Sequence, residues 1–337
     1  MSLEECLPPS LRRSEIRITS ISDGLSGAGV YRVEAGVGGE VFVLKVAPAD
    51  VAPARWRRAL AIWQRAAAAG LTPALIHVDE ARRAVVTPLV VDRSFAVRYR
   101  DPLTHGRALA ELGRTLRRVH ALPLPADGES DAATVTPWTM LATTWGALTS
   151  ATIAVPDFVR RAAEGLLAEA PPESGHAPVL SHNDVHPKNL VHDGARLYLM
   201  DWDAAGPNDP FYDLATIAVF FGMDGPTCRR LVRAYEQPLD SSPDAVPAGG
   251  REAPLPERFL HDRRLIAVLC GVGFLQFGFQ SGYSAGANAA GGHPLELAPT
   301  LGEVYQRMRA GTLSLATGEG RWAFGLALVR ESVVTLA

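Results

Sequence analysis

From Glu15 to Ala47 apolar side chains fall at every second position: Ile16 and Ile18, then Tyr31 and Val33, then Phe42, Leu44 and Val46. A period of two puts alternate side chains on opposite faces, so each run reads as a half-buried strand. The links DGLSGAG and AGVGGE are rich in glycine and turn the chain back on itself. An arginine- and alanine-rich helix is expected at 53–69, stopped by Gly70, and two further strands at 74–79 and 83–90, where Pro88 breaks the pattern. Beyond residue 92 the period changes. In 104–122 Leu109, Leu112, Leu116, Val119 and His120 share one helical face, and helices are expected at 138–151, 156–169, 258–283, 301–311 and 319–335. Strands first and helices afterwards make an α+β chain. A small antiparallel sheet with one helix occupies residues 1–91, a hinge lies near 88–92, and a large helical lobe fills 92–337.

The bulk properties exclude more than they assign. At 337 residues the chain exceeds one small core. A net charge of −3 gives no electrostatic case for nucleic acid or an anionic membrane surface. Cys6, Cys228 and Cys270 are widely spaced and odd in number, so neither a disulfide framework nor a paired-cysteine metal site is indicated. A reducing, cytoplasmic setting is the expectation. The most apolar run, 265–279, contains Gln276 and falls short of the roughly 20 residues a membrane span needs. Only Lys45 and Lys188 are lysines among the 33 basic residues. In an arginine-biased chain, a retained lysine points to a need for a compact ammonium.

Residues 181–189, SHNDVHPKN, admit two chemistries. His182 and His186 are four apart, as in a helical zinc site. That site needs a glutamate after the first histidine and an unbroken helix. Here Asn183 follows His182, and Pro187 inside a helix would cost about 3 kcal/mol. No zinc is therefore expected. Phosphoryl transfer uses more of the residues. A carboxylate must orient the attacking hydroxyl and accept its proton, which suits Asp184. Metal on the phosphates needs an amide and a carboxylate, which suits Asn189 and Asp201. The strands NLVH and RLYLMD, joined by the turn DGA, form a hairpin that returns Asp201 toward the loop.

LSHNDVHPKNLV followed by LYLMDWDAAGPNDPFYDLA resembles the aminoglycoside phosphotransferase and choline kinase superfamily, closest to its choline, ethanolamine and thiamine kinase branch. The resemblance runs from the glycine loop to about residue 235 and implies a two-lobed, protein-kinase-like fold. It implies Asp184 as the catalytic aspartate and Asn189 and Asp201 as magnesium ligands. Asp203 would assist at the metal or substrate edge, and Asp213 would hold the backbone of the catalytic loop. His182 would brace that loop; His186 would brace it or meet the substrate. Trp202 would serve packing.

The N-terminal third is readable on its own. A glycine loop between two strands, with Ser26, Gly27 and Gly29, differs from the phosphate loops that open onto a helix. Lys45 sits on the next strand but one, where a kinase-like fold keeps its phosphate-pairing lysine. The strand end at Thr87 and Leu89 would border the adenine of ATP, and Lys188 would meet the transferred phosphate or face solvent. One departure stands out. Such folds pair the lysine with a glutamate on the following helix, yet residues 51–78 contain no acid. Either another acid takes that place, Asp50 being nearest, or phosphates alone hold Lys45.

The expected function is an ATP- and magnesium-dependent kinase of a small-molecule hydroxyl. Residues 1–90 carry a net +2 and the remainder −5, which favours a cationic acceptor such as an amino alcohol or a thiamine-like metabolite. Phe274, Phe277, Phe279 and Tyr283, beside Gln276 and Gln280, would offer it aromatic faces. The rivals are an aminoglycoside or other antibiotic kinase, and a non-catalytic nucleotide-binding protein. The oligomeric state stays open.

Overall fold

The computed structural model describes residues 2–12, 15–21, 28–36, 39–125, 136–151, 153–239, 253–283 and 295–333. These fall into two compact units, one of residues 1–129 with 179–207, the other of 130–178 with 208–337.

The first unit opens with a short 3-10 turn at Leu3–Cys6 and helix α1 (Pro9–Arg12). The alternating segment then forms β1 (Ile16–Ser20), β2 (Gly29–Ala35) and β3 (Val41–Val46). Helix α2 (Pro53–Ala68) follows, then β4 (His77–Asp79) and β5 (Ala84–Pro88). The sheet is antiparallel in the order β1-β2-β3-β5-β4, with Lys45 opposite Val30 on one side and Val85 on the other. Val33, Phe42, Leu44, Ala84 and Val86 bury one face of it against Cys6 and Leu7. Gly70, at φ +66°, ends α2 where a side chain would strain the backbone.

Two helices complete this unit beyond the sheet: α3 (Phe95–Arg100), which the sequence pattern did not disclose, and α4 (His105–His120). The expected face of α4 is buried: Leu109, Leu112, Leu116, Val119 and His120. It packs on β6 (Val179–Ser181) and β8 (Leu197–Leu199), while α3 packs on β7 (Leu190–His192). β7 and β8 form the expected hairpin, with Leu190 opposite Leu199. β9 (Gly206–Asn208) pairs with β6. The lobe boundary expected at residue 91 thus lies inside this compact unit, because α4 and the returning 179–207 segment share one core.

The second unit is helical. It comprises α5 (Pro137–Ser150), α6 (Asp157–Ala168), α7 (Pro210–Phe220), α8 (Gly225–Glu236), α9 (Glu257–Gln280), α10 (Leu301–Arg309) and α11 (Gly318–Glu331). Its core joins Leu141, Trp145, Phe158, Val268, Val272 and Trp322. Helices α9 and α11 cross at Gly271 and Gly325, where a methyl group on Gly325 would come within 2.7 Å of the Gly271 carbonyl. Of the linker expected at 237–256, residues 240–252 lie outside the described set. No helix among the described residues is long and apolar enough to cross a membrane.

Candidate functional site

The first unit gathers Lys45, His182, Asp184, His186, Asn189, Asp201 and Asp203. Lys45 is carried by a regular strand. Asn189 ends a 3-10 turn at Pro187–Asn189, and the others sit on irregular backbone, which needs its own bracing because no ladder satisfies its polar groups.

His182 supplies much of that bracing. Fully buried, it places one ring nitrogen, Nε2, 3.0 Å from the Met200 carbonyl, and the other accepts the Asp184 N–H at 3.3 Å. Nε2 therefore carries the proton and donates. Both nitrogens serve backbone. The Trp202 indole meets the His182 ring edge-on at 4.8 Å and donates to the Leu199 carbonyl. Asn183 takes φ +65°, a left-handed conformation that asparagine tolerates, and its side-chain amide donates to the Ala204 carbonyl. The loop before the hairpin is thereby tied to the loop after it.

Asp184 uses one carboxylate oxygen for support. Its Oδ2 accepts from the Asn189 amide at 3.0 Å and lies 3.6 Å from His186 Nε2. The same amide nitrogen donates to the Asp184 carbonyl at 2.9 Å. His186 in turn accepts the Lys188 N–H on Nδ1, which leaves Nε2 as the protonated nitrogen facing Asp184. Among the described residues Oδ1 of Asp184 accepts no hydrogen bond, and the side chain is 45% exposed. With its nitrogen committed to Asp184, Asn189 has its amide oxygen as the remaining acceptor.

Asp201 also stands at positive φ, +66°, a conformation that aspartate, like asparagine, adopts more readily than other residues with a side chain. That turn brings its carboxylate onto Lys45. Lys45 Nζ lies 2.6 Å from Asp201 Oδ1 and 2.7 Å from Asp203 Oδ2, a fork of two acids on one ammonium. Burial by itself would lower the Lys45 pKa, but the two carboxylates outweigh it and raise it. Burial by itself would raise that of Asp201, but the Lys45 charge and hydrogen bond hold it below the usual range. The question of the missing acid is thus answered. An acid does arrive from elsewhere, from the Met-Asp-Trp-Asp turn; Asp50 stays exposed beside α2. This corrects the expectation of Asp50, or of phosphates alone, as the lysine's support. From the helix side, Lys45 Nζ lies 5.8 Å from the centre of the Trp63 ring.

The remaining predicted residues are placed as follows. Ser26 and Gly27 lie outside the described residues. Gly29 opens β2, and a side chain there would collide with the Tyr31 ring at 2.8 Å. Thr87 is buried, and the Leu89 N–H donates to the Val41 carbonyl, so the sheet already uses that donor. Lys188 is exposed. Asp213 is fully buried in α7, within the second unit. Sequence reading missed Trp63 and the fork. Trp63 carries a weak signal in the spacing Trp56, Leu60, Trp63, a helix face turned to the sheet; partners 156 and 158 residues from Lys45 carry none.

The donor set fits a hard divalent cation. The Asn189 amide oxygen and the Asp201 carboxylate are oxygen ligands of the kind magnesium takes, one or two from protein and the rest from water and phosphate. Among the described residues no group of three or more His, Cys, Asp or Glu side chains is arranged to hold a metal.

A small antiparallel sheet with one helix, followed by many helices, is the fold of protein-kinase-like phosphotransferases. Residues 17–249 match the phosphotransferase enzyme family, and the chain belongs to it. The solved structure of a choline/ethanolamine kinase family protein from Mesorhizobium loti is similar with a TM-score of 0.57, at 20% identity, covering 96% of this chain and 95% of that one. The macrolide 2'-phosphotransferase MphH of Brachybacterium faecium gives a TM-score of 0.52 at 20% identity, covering 82% and 90%. Among curated proteins, Protein LicA of Haemophilus influenzae is 47% identical over 36 residues, which is 11% of this chain and only 14% of that protein.

Proposed function

We propose that the chain is an ATP- and magnesium-dependent kinase of a small-molecule hydroxyl, with a cationic amino alcohol or thiamine-like compound as acceptor. The observation that carries this reading is the division of labour on Asp184. Asn189 and His186 occupy one carboxylate oxygen and leave the other for an incoming hydroxyl. Asp184 then orients that hydroxyl and takes its proton, while Lys45 and the glycine loop with Ser26, Gly27 and Gly29 bind the phosphates. Asn189 and Asp201 hold magnesium, which when bound neutralises phosphate charge. Thr87 and Leu89 border the adenine, Asp203 stays with Lys45, and Lys188 reaches toward the phosphates from the loop. His182 acts through the backbone it supports. Catalysis on this account is mostly positioning and charge compensation.

One feature supports the cationic acceptor: the chain beyond residue 90 is the acidic part. The aromatic residues Phe274, Phe277 and Phe279 lie on α9, within the second unit. The M. loti relative's description as a choline/ethanolamine kinase family protein agrees with this, whereas the macrolide phosphotransferase has the antibiotic class of acceptor. A panel of choline, ethanolamine, thiamine, aminoglycosides, a macrolide and neutral sugars, scored by kcat/KM, tests it. Preference for an antibiotic or a sugar by tenfold or more overturns the cationic acceptor and leaves the kinase; no turnover with any acceptor or with water overturns the kinase.

A further inference from the structure

Helix α2 meets the sheet with a face that holds no charge. Trp56, Leu60 and Trp63 are all buried on it, at a spacing of four and three residues. With Val85 they wall a cleft of about 20 Å³ beside Lys45, too small for more than about one water molecule. Arg83 also borders this cleft, but its guanidinium is bound to the carbonyls of Val51 and Ala49. The Lys45 side chain is only 14% exposed and runs past this wall before reaching its two carboxylates. The Trp63 ring centre stands 5.8 Å from the ammonium, within the range where an aromatic face attracts a cation. Trp63 Nε1 is buried with no hydrogen-bond partner among the described residues, so the ring is not held there by a polar contact of its own.

We propose that Trp63 is the positioning residue for Lys45, doing with an aromatic face what a glutamate on the same helix would do with charge. The inference rests on the phosphotransferase reading only for its meaning in catalysis. An ammonium has three N–H groups and no acceptor. Two point to Asp201 and Asp203, and the ring closes the side of α2, a helix without an acid. A glutamate there would make a third carboxylate within reach of one cation. A tryptophan keeps the lysine in place without adding negative charge against incoming phosphates. When Asp201 turns to other ligands, Lys45 keeps Asp203 and the ring.

The composition provides a direct readout. Lys45 and Lys188 are the only lysines, and Lys188 is exposed, so it serves as an internal reference. The full-length protein is treated with a lysine-directed acylating reagent, and the Lys45/Lys188 labelling ratio is measured by mass spectrometry. Wild type should show slow labelling at Lys45. Trp63→Leu should raise the ratio about threefold or more and weaken ATP binding by about 3- to 30-fold, with a smaller change in kcat, while Trp63→Phe stays within about twofold of wild type. A folded Trp63→Leu protein with an unchanged ratio overturns the proposal. If Trp63→Leu does not fold, Trp63→Gln and Trp63→Glu decide, since both lose the ring and only glutamate offers Lys45 a charge. A lower ratio in Trp63→Glu than in Trp63→Gln supports the positioning role; equal ratios, or failure of both to fold, make Trp63 a packing residue and overturn it. If wild type binds no ATP, the phosphotransferase reading fails separately, and the labelling ratio still judges Trp63.

Discussion

Asp201 in the first unit and Asp262 in the second both sit beside a cation, yet their environments push them in opposite directions. Asp201 keeps 31% of its side chain exposed and has Lys45 at 2.6 Å; its pKa is lowered. Asp262 is 1% exposed and has Arg258 at 3.2 Å, but that guanidinium also lies 3.4 Å from Asp209. Desolvation dominates there, opposed by His261 and Arg258 and reinforced by Asp209, and the pKa is raised. The arginine further donates to the Pro172 carbonyl, so the group closes on itself. One set of charges is left partly open, on a turn where Asp201 takes a left-handed conformation. The other is sealed in a helical core, where it fixes packing. Substitutions in the first set should therefore cost activity, and in the second, stability.

The sharpest break of that contrast would come from Asp184. Asp184→Asn should lower turnover by roughly 10²–10⁴ with ATP affinity little changed, because a positioned acid/base group is lost and no phosphate contact is. Steady-state kinetics and nucleotide titration on the folded variant check this; near-normal turnover would sink the assigned role. Asp262→Ala should instead cost about 1–3 kcal/mol in denaturant unfolding, for the lost partner of a hydrogen bond in the core, since Arg258 keeps Asp209 and the Pro172 carbonyl. A loss under about 1 kcal/mol would mean the network is not stabilising. Lys45→Ala should lower kcat/KM by about 10²–10³, as for one removed electrostatic contact in a water-poor site. Asp201→Ala should weaken ATP binding roughly tenfold in the presence of magnesium and little in its absence, since a carboxylate that bridges through an ion acts only when the ion is there. Equal losses in calorimetry with and without magnesium would make Asp201 structural.

The smallest effect separates the two carboxylates by sign. A depressed carboxylate adds stability that is present above its unfolded pKa and lost as pH falls through the folded value. The melting-temperature gap between wild type and Asp201→Asn should therefore shrink below about pH 4. A raised carboxylate adds stability that is present below its unfolded pKa and lost as pH rises through the folded value. The wild-type advantage over Asp262→Asn should therefore widen on going from about pH 6 to pH 4. Gaps moving in the same direction would show that burial does not distinguish the sites.

What could be read in advance follows from range along the chain. The strands around Phe42 and Leu44, the α4 face at Leu109, Leu112 and Leu116, and the β7–β8 hairpin are local patterns, and the structure has them. Asp184 and Asn189 are five residues apart, so their place on one loop was legible, while their hydrogen bond was not. Helix α3 was not legible because its start depends on a tertiary contact: Asp92 accepts both the Ser94 and the His192 N–H groups. The partners of Lys45 were hidden for the same reason, since composition near the lysine shows an absence and nothing near it shows the remedy.

The first unit is assembled from two stretches of chain, 1–129 and 179–207, with residues 130–178 of the second unit between them. During synthesis Lys45 precedes its partner Asp201 by 156 residues. At roughly 5–20 residues per second that interval is roughly 8–30 s. Through it Lys45 has neither Asp201 nor Asp203 as a partner, and the Leu71 carbonyl lacks the Leu199 N–H that it accepts in the complete unit. The order of translation thus sets a minimum chain length, a little past residue 203, before the lysine has both of its acids.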